Sequence, residues 1–295
     1  MPKKNTTVSL VLGSGGARGL AHIGAIHWLE ENNYDIRSLS GCSMGALIGG
    51  IFACGKLGIY EEWVRAISKL DIVRLLDLSW GKQGLVEGER IITALKELVG
   101  DRRIEDLPIK YTAVAADIKR EKEVWLKHGS LFDAIRASIS LPLFFTPFEM
   151  EGMKLLDGGI LNPVPIAPTF EDNTDLTIAV NLGAPPSGNP LPLRKVEPKH
   201  ANDSPADGLH AKISNFIDDL KDRAALENAG SWKMLSIADQ TFDAMQGAIA
   251  RQKLAAYPPD HTIMIARDAC GTLEFDRADE MIALGYETAA RTLGE

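Results

Sequence analysis

The chain has 295 residues, 45% of them hydrophobic, enough to bury a large core in one domain. A net charge of −8 without a basic tract argues against nucleic acid as a partner. Cys42, Cys54 and Cys270 are an odd set without metal-ligand spacing, which points to a reducing compartment.

At the N-terminus, Met1 to Thr7 carries charge but no long apolar region follows, because glycines interrupt from Gly13. This is not the pattern of a signal peptide, and no run approaches the length of a membrane span. The expected location is the cytoplasm. Peripheral contact with the inner membrane face and self-association both stay open.

The apolar run Val8-Ser9-Leu10-Val11-Leu12 predicts a central strand. It runs into Gly13-Ser14-Gly15-Gly16-Ala17-Arg18-Gly19, and a helix is expected from Leu20 to Asn32. A strand, a glycine turn and a helix make a nest of backbone N–H donors that can hold a phosphate or an oxyanion. Ile36 to Ser40 can end a second strand, followed by Gly41-Cys42-Ser43-Met44-Gly45 and the apolar helix Ala46 to Ala53. G-x-S-x-G is the turn that lifts a nucleophilic serine between a strand and a helix. Its glycines let the chain turn sharply, and the helix N-terminus offers free N–H groups and a positive dipole end. Cys42 reads as a small buried residue beside that serine.

Tyr60, Trp63, Val64, Ile67 and Leu70 recur at helical spacing, as do Ile91, Leu95 and Leu98 before Gly100. Residues 58–107 therefore read as a helical, cap-like insert, with an irregular apolar stretch from Ile72 to Trp80. Strands resume at Tyr111–Ala116 and Glu123–Leu126. Ser130 can cap a helix over Leu131–Ser138, with Asp133 three residues on. The short strand Met153 to Leu156 leads to Asp157-Gly158-Gly159, a tight turn in which Asp157 taken alone reads as an ordinary turn aspartate. Leu176–Leu182 is a buried strand. Residues 184–208, rich in Pro, Asn, Asp and Gly, read as a long loop, and 209–295 as C-terminal helices with one strand, Thr262 to Ala266. This alternation predicts an α/β fold with a mostly parallel central sheet sandwiched by helices, in a single domain over 1–295.

Two nucleotide-binding readings fail. Arg18 stands where a dinucleotide fingerprint needs its third glycine. Gly50 to Lys56 mimics a P-loop but ends a helix, and Leu57 replaces the magnesium-binding Ser or Thr.

The three motifs, in this order and context, resemble the patatin-like phospholipases over roughly residues 8–183, and the tail is similar to bacterial NTE-type members. Gly13 to Gly19 looks like the family's oxyanion loop, Gly41 to Gly45 like its nucleophile elbow, and Asp157-Gly158-Gly159 like its D-G-G/A motif. Ala137 to Pro142 resembles the segment that precedes the latter. Ser14 departs from the family by replacing the first of three glycines.

The resemblance implies a three-layer fold and a serine acyl hydrolase acting on lipid or phospholipid esters. Ser43 would be the nucleophile and Asp157 its base, with Gly15, Gly16 and Ala17 as backbone oxyanion donors. Gly13, Gly19 and Arg18 would shape the loop; Arg18 could instead hold a headgroup or a structural salt bridge. No metal or organic cofactor is implied. An α/β-hydrolase triad fits less well, since little chain precedes Ser43 and the one candidate histidine, His261, lies before a strand. An acyltransferase using the same acyl-enzyme, or a lipid-binding regulator with little turnover, remains the alternative.

Overall fold

The computed structural model describes residues 6–67, 88–142, 144–186, 237 and 240–294. The chain divides into two compact units, Met1–Pro190 with Met245–Glu295, and Leu191–Ala244. All elements named below belong to the first unit. The loop expected over 184–208 and the first part of the helices expected over 209–295 fall largely outside the described residues.

An eight-stranded sheet forms the centre. Its strands are β1 (Thr6–Leu12), β2 (Tyr34–Cys42), β3 (Lys110–Asp117), β4 (Lys122–Leu126), β5 (Phe148–Met150), β6 (Met153–Asp157), β7 (Leu176–Ala184) and β8 (His261–Ala266). Their order is β5-β6-β3-β2-β1-β7-β8, with β4 also paired to β3. β3, β2, β1, β7 and β8 run parallel, as expected. β4, β5 and β6 are antiparallel. The β5–β6 hairpin was not expected. Its turn is Glu151-Gly152, both at positive φ (49° and 75°), the primed-turn geometry that suits strand twist.

The central strands are buried on both faces, and their side chains sort by alternation. Leu10 and Leu12 of β1 and Ile178 and Val180 of β7 enter the main core. Val11 and Ala179, between them, meet Val164, Ile166 and Ala250 in a second, smaller cluster. Helices flank the sheet: α1 (Ala21–Glu31), α2 (Met44–Ala53), α3 (Leu57–Ala66), α4 (Glu89–Val99), α5 (Leu131–Ser138) and α6, of which residues 245–256 lie in this unit, and finally α7 (Ala278–Leu293).

Two features tie this scaffold to its sequence. The Ser130 hydroxyl accepts the Asp133 N–H at 3.2 Å, so α5 starts where its cap predicts. Helices α1 and α7 touch backbone to backbone: a Cβ added at Gly24 would run into the Ile282 carbonyl, and one at Gly285 into the Ala21 carbonyl. Among the described residues no helix is long and apolar enough to cross a membrane.

Candidate active site

Sheet register brings the motifs together. β2 and β3 are parallel, with Cys42 opposite Val114. β6 enters antiparallel on the other side of β3, with Asp157 opposite Ala115. Asp157 thus arrives one strand away from the end of β2, one register position beyond Cys42 and so level with Ser43. The Cys42 thiol, 3.7 Å from Asp157 Oδ1, records that proximity. Cys42 is buried, and burial together with the neighbouring carboxylate holds its thiol protonated, as a small buried residue and a weak donor.

Ser43 sits between β2 and α2 at φ 55°, ψ −123°, a strained conformation for a residue with a Cβ. The strain is held from several sides. Its N–H donates to the Ser138 hydroxyl at 2.9 Å, and that hydroxyl donates to the Val114 carbonyl at 2.7 Å. Its carbonyl accepts from Leu47 N–H at 3.1 Å, which opens α2. Gly45 packs so closely on the end of β1 that a Cβ would collide with the Leu12 carbonyl, and one at Gly41 would collide with Gly45 itself.

Asp157 is completely buried. Oδ1 accepts the Gly159 N–H at 2.7 Å, which turns the chain through Gly158 and Gly159. Oδ2 has no hydrogen bond of ordinary geometry. Burial pushes the carboxyl pKa up to about 6, opposed in part by the Ser43 hydroxyl and the Gly159 amide. The Ser43 hydroxyl is thus near Asp157 without a tight bond to Oδ2.

The glycine loop follows β1. Gly13 N–H donates to Val180 O at 3.0 Å, Ser14 N–H to Pro163 O at 2.8 Å, and Ala17 N–H to Thr272 O at 2.9 Å. Of the three expected oxyanion donors, Ala17 is thus already engaged. The amides of Gly15 and Gly16, at the start of the 3-10 turn Gly16–Leu20, have no acceptor among the described residues. Gly19 packs under Met44, the first residue of α2, which sets the loop beside the elbow. Arg18 is buried and donates through Nη1 to the carbonyls of Arg267 (3.0 Å) and Cys270 (3.1 Å), so its role is to position the loop.

Sequence reasoning missed several residues here. His22 is fully buried, and its Nε2 donates to the Gly13 carbonyl at 2.9 Å. Burial lowers its pKa to about 4, so it stays neutral. Gln246 Nε2 donates to the Ser14 hydroxyl at 3.2 Å, which gives the departure at Ser14 a structural use. Only Ser138 left a signal, as a member of the Ala137 to Pro142 segment before the D-G-G motif.

An apolar cleft opens at Ser43. Its lining includes Gly16, Phe145, Leu273, and Trp63 and Ile67 of the expected cap, and among the described residues it contains no charged side chain. Leu70, Ile72, Val73, Leu75, Leu76, Leu78 and Trp80 of that cap lie outside the described residues. His261, by contrast, is the exposed first residue of β8. The elbow and glycine loop follow the C-terminal ends of β2 and β1, whereas His261 begins the edge strand β8 opposite Ile178, with β7 and β1 between it and β2.

An elbow serine, a buried strand-end aspartate and a glycine loop thus meet on one α/β sheet. Residues 10–170 match the patatin-like phospholipase family, and the chain belongs to it. An uncharacterized NTE family protein of Mycobacterium bovis is 38% identical over 97% of this chain and 91% of its own length. A lysophospholipase of Saccharomyces cerevisiae is 30% identical over 62% of this chain and 11% of its own. Patatin-like phospholipase domain-containing protein 6 of Mus musculus is 30% identical over 60% and 14%.

Proposed function

We propose that this protein is a serine hydrolase of lipid carboxylic esters that works through a Ser43–Asp157 dyad and an acyl-enzyme. The observation that carries the reading is Ser43, held at φ 55° beside a fully buried aspartate, at the mouth of an uncharged apolar cleft.

Ser43 Oγ attacks the ester carbonyl carbon as its proton passes to Asp157 Oδ2. The carbonyl oxygen becomes an oxyanion, to which the Gly15 and Gly16 amides can donate; each such donor is worth about 3 kcal/mol. Collapse breaks the ester C–O bond, and the leaving alkoxide takes the proton from Asp157. Water then attacks the acyl-enzyme and gives a proton to Asp157. Ser43 recovers that proton as the fatty acid leaves.

An ordinary aspartate, with a pKa near 4, is a weak base for a hydroxyl. Burial raises that of Asp157 to about 6, which improves the match while leaving the group ionised at neutral pH. The cleft suits the hydrocarbon part of a lipid, since each buried methylene contributes roughly 0.8 kcal/mol.

The test is a fluorophosphonate probe followed by peptide mass spectrometry, alongside hydrolysis of a lysophospholipid. Adduct formation at Ser43 and release of fatty acid are expected from the wild type and neither from Ser43→Ala. A folded wild type that neither labels nor hydrolyses would overturn the proposal.

A further inference from the structure

The cleft is completed by a part of the chain beyond residues 10–170, the stretch that matches the family. Thr272, Leu273 and Phe275, in the turn between β8 and α7, line it together with Gly16 and Ser43. This turn is anchored to the glycine loop at two points: Thr272 O accepts the Ala17 N–H, and the Arg18 guanidinium holds the Arg267 and Cys270 carbonyls. Gly16, at φ 56°, lies so close that a Cβ there would run into Thr272. The turn is braced internally as well. Gly271 N–H donates to Glu274 Oε2 at 2.9 Å, and Arg277 Nη1 donates to the same oxygen at 3.0 Å. A segment tied this firmly to the catalytic loop is a fixed wall. Leu273, on that wall, is 40% exposed, an apolar side chain half in the cleft and half in water.

We infer that this turn, through Leu273, is the acyl-chain selector of the site: it favours esters whose unbranched hydrocarbon chain is long enough to cover Leu273. The inference rests on the lipid-ester reading and names the part of the chain that sets its substrate preference. With no charged side chain among the described residues that line it, the cleft gives a hydrocarbon tail its place and leaves a polar headgroup outside. A longer chain that reaches Leu273 removes its apolar surface from water along with its own, and two extra buried methylenes correspond to roughly a ten-fold gain.

Butyl and dodecyl fluorophosphonates test this through the second-order rate of Ser43 labelling, followed by intact-protein mass spectrometry. The wild type is expected to react faster with the dodecyl probe. In Leu273→Asp the dodecyl-to-butyl ratio should fall roughly ten-fold, and Leu273→Met should restore it. Leu273 is partly exposed, so these variants are expected to fold; thermal melts check that. A ratio that does not move while labelling persists would overturn the selector and leave the hydrolase reading standing. An equal loss with both probes would also overturn it, because the turn would then act only by holding the glycine loop. A wild type that reacts with neither probe would fell both readings.

Discussion

Asp157 is a fully buried carboxyl group. Its raised pKa means the folded state binds a proton there more tightly than the unfolded chain. The stability this contributes is fully present below the unfolded pKa, near 4, and is lost as pH rises through about 6. Above pH 6 the ionised carboxylate therefore costs the fold on the order of 2–3 kcal/mol. Asp157→Asn should abolish esterase activity and yet melt at a higher temperature than the wild type at pH 8, with the gap closing toward pH 4. An Asn variant that keeps most of its turnover would remove Asp157 from the mechanism. On the proposed dyad, Ser43→Ala should cost as much activity as Asp157→Asn, and the double variant little more than either, as residues acting as a unit do. On the proposed mechanism, kcat/KM for a soluble short-chain ester should rise about ten-fold per pH unit to a plateau, with an apparent pKa near 6. His22, lowered to about 4 by burial, has no part in that profile. A profile flat from pH 5 to 8 would rule out the buried carboxylate as the base.

At the scale of elements, the contact between α1 and α7 decides where the glycine loop sits. α1 continues directly from the 3-10 turn Gly16–Leu20, so a displaced α1 drags the loop with it. In an exposed helix, Gly→Ala stabilises by up to about 1 kcal/mol. At Gly285 the sign should reverse, because the added methyl would meet the Ala21 carbonyl. Overpacking of this kind costs about 1–3 kcal/mol. Gly285→Ala is expected to lower the denaturation midpoint in urea and to reduce esterase activity. A midpoint at or above the wild type would show that the helices can separate freely. The partner glycine, Gly24, makes the same contact from α1. The hairpin β5–β6 belongs to this scale too, since its tight turn delivers Asp157 from the opposite direction to the parallel strands.

For the whole molecule, catalysis is assigned to one end of the sheet. Parallel α/β sheets place their sites beyond the carboxyl ends of the strands, and here the elbow and glycine loop follow those of β2 and β1. His261 instead starts the edge strand β8, with β7 and β1 between it and β2. His261→Ala should leave kcat within about two-fold, as substitutions on exposed surfaces usually do little; a loss matching that of Ser43→Ala would revive a triad. Activity on a short-chain ester should also survive EDTA. Loss on chelation with recovery on adding calcium would mean a metal supplies the electrophile.

The elbow, the glycine loop and the D-G-G turn were readable from the residues because each is a local solution to a steric problem, written in glycines next to one functional side chain. The parallel core was readable for a similar reason: strands such as β1 and β7, buried on both faces, are continuous apolar runs. The resemblance supplied the pairing of Ser43 with Asp157, while Asp157 alone looked like a turn residue. Other features depend on partners far apart in sequence. The Ala17 amide meets Thr272, and Arg18 turns inward to carbonyls near the C-terminus. Ser138 bridges β3 to the Ser43 amide, and Gln246 reaches Ser14. No periodicity encodes these contacts, because they arise only when the sheet sets its strands side by side. The pKa of Asp157 was equally out of reach: burial in the assembled fold raises it, and nothing in the neighbouring sequence carries that information.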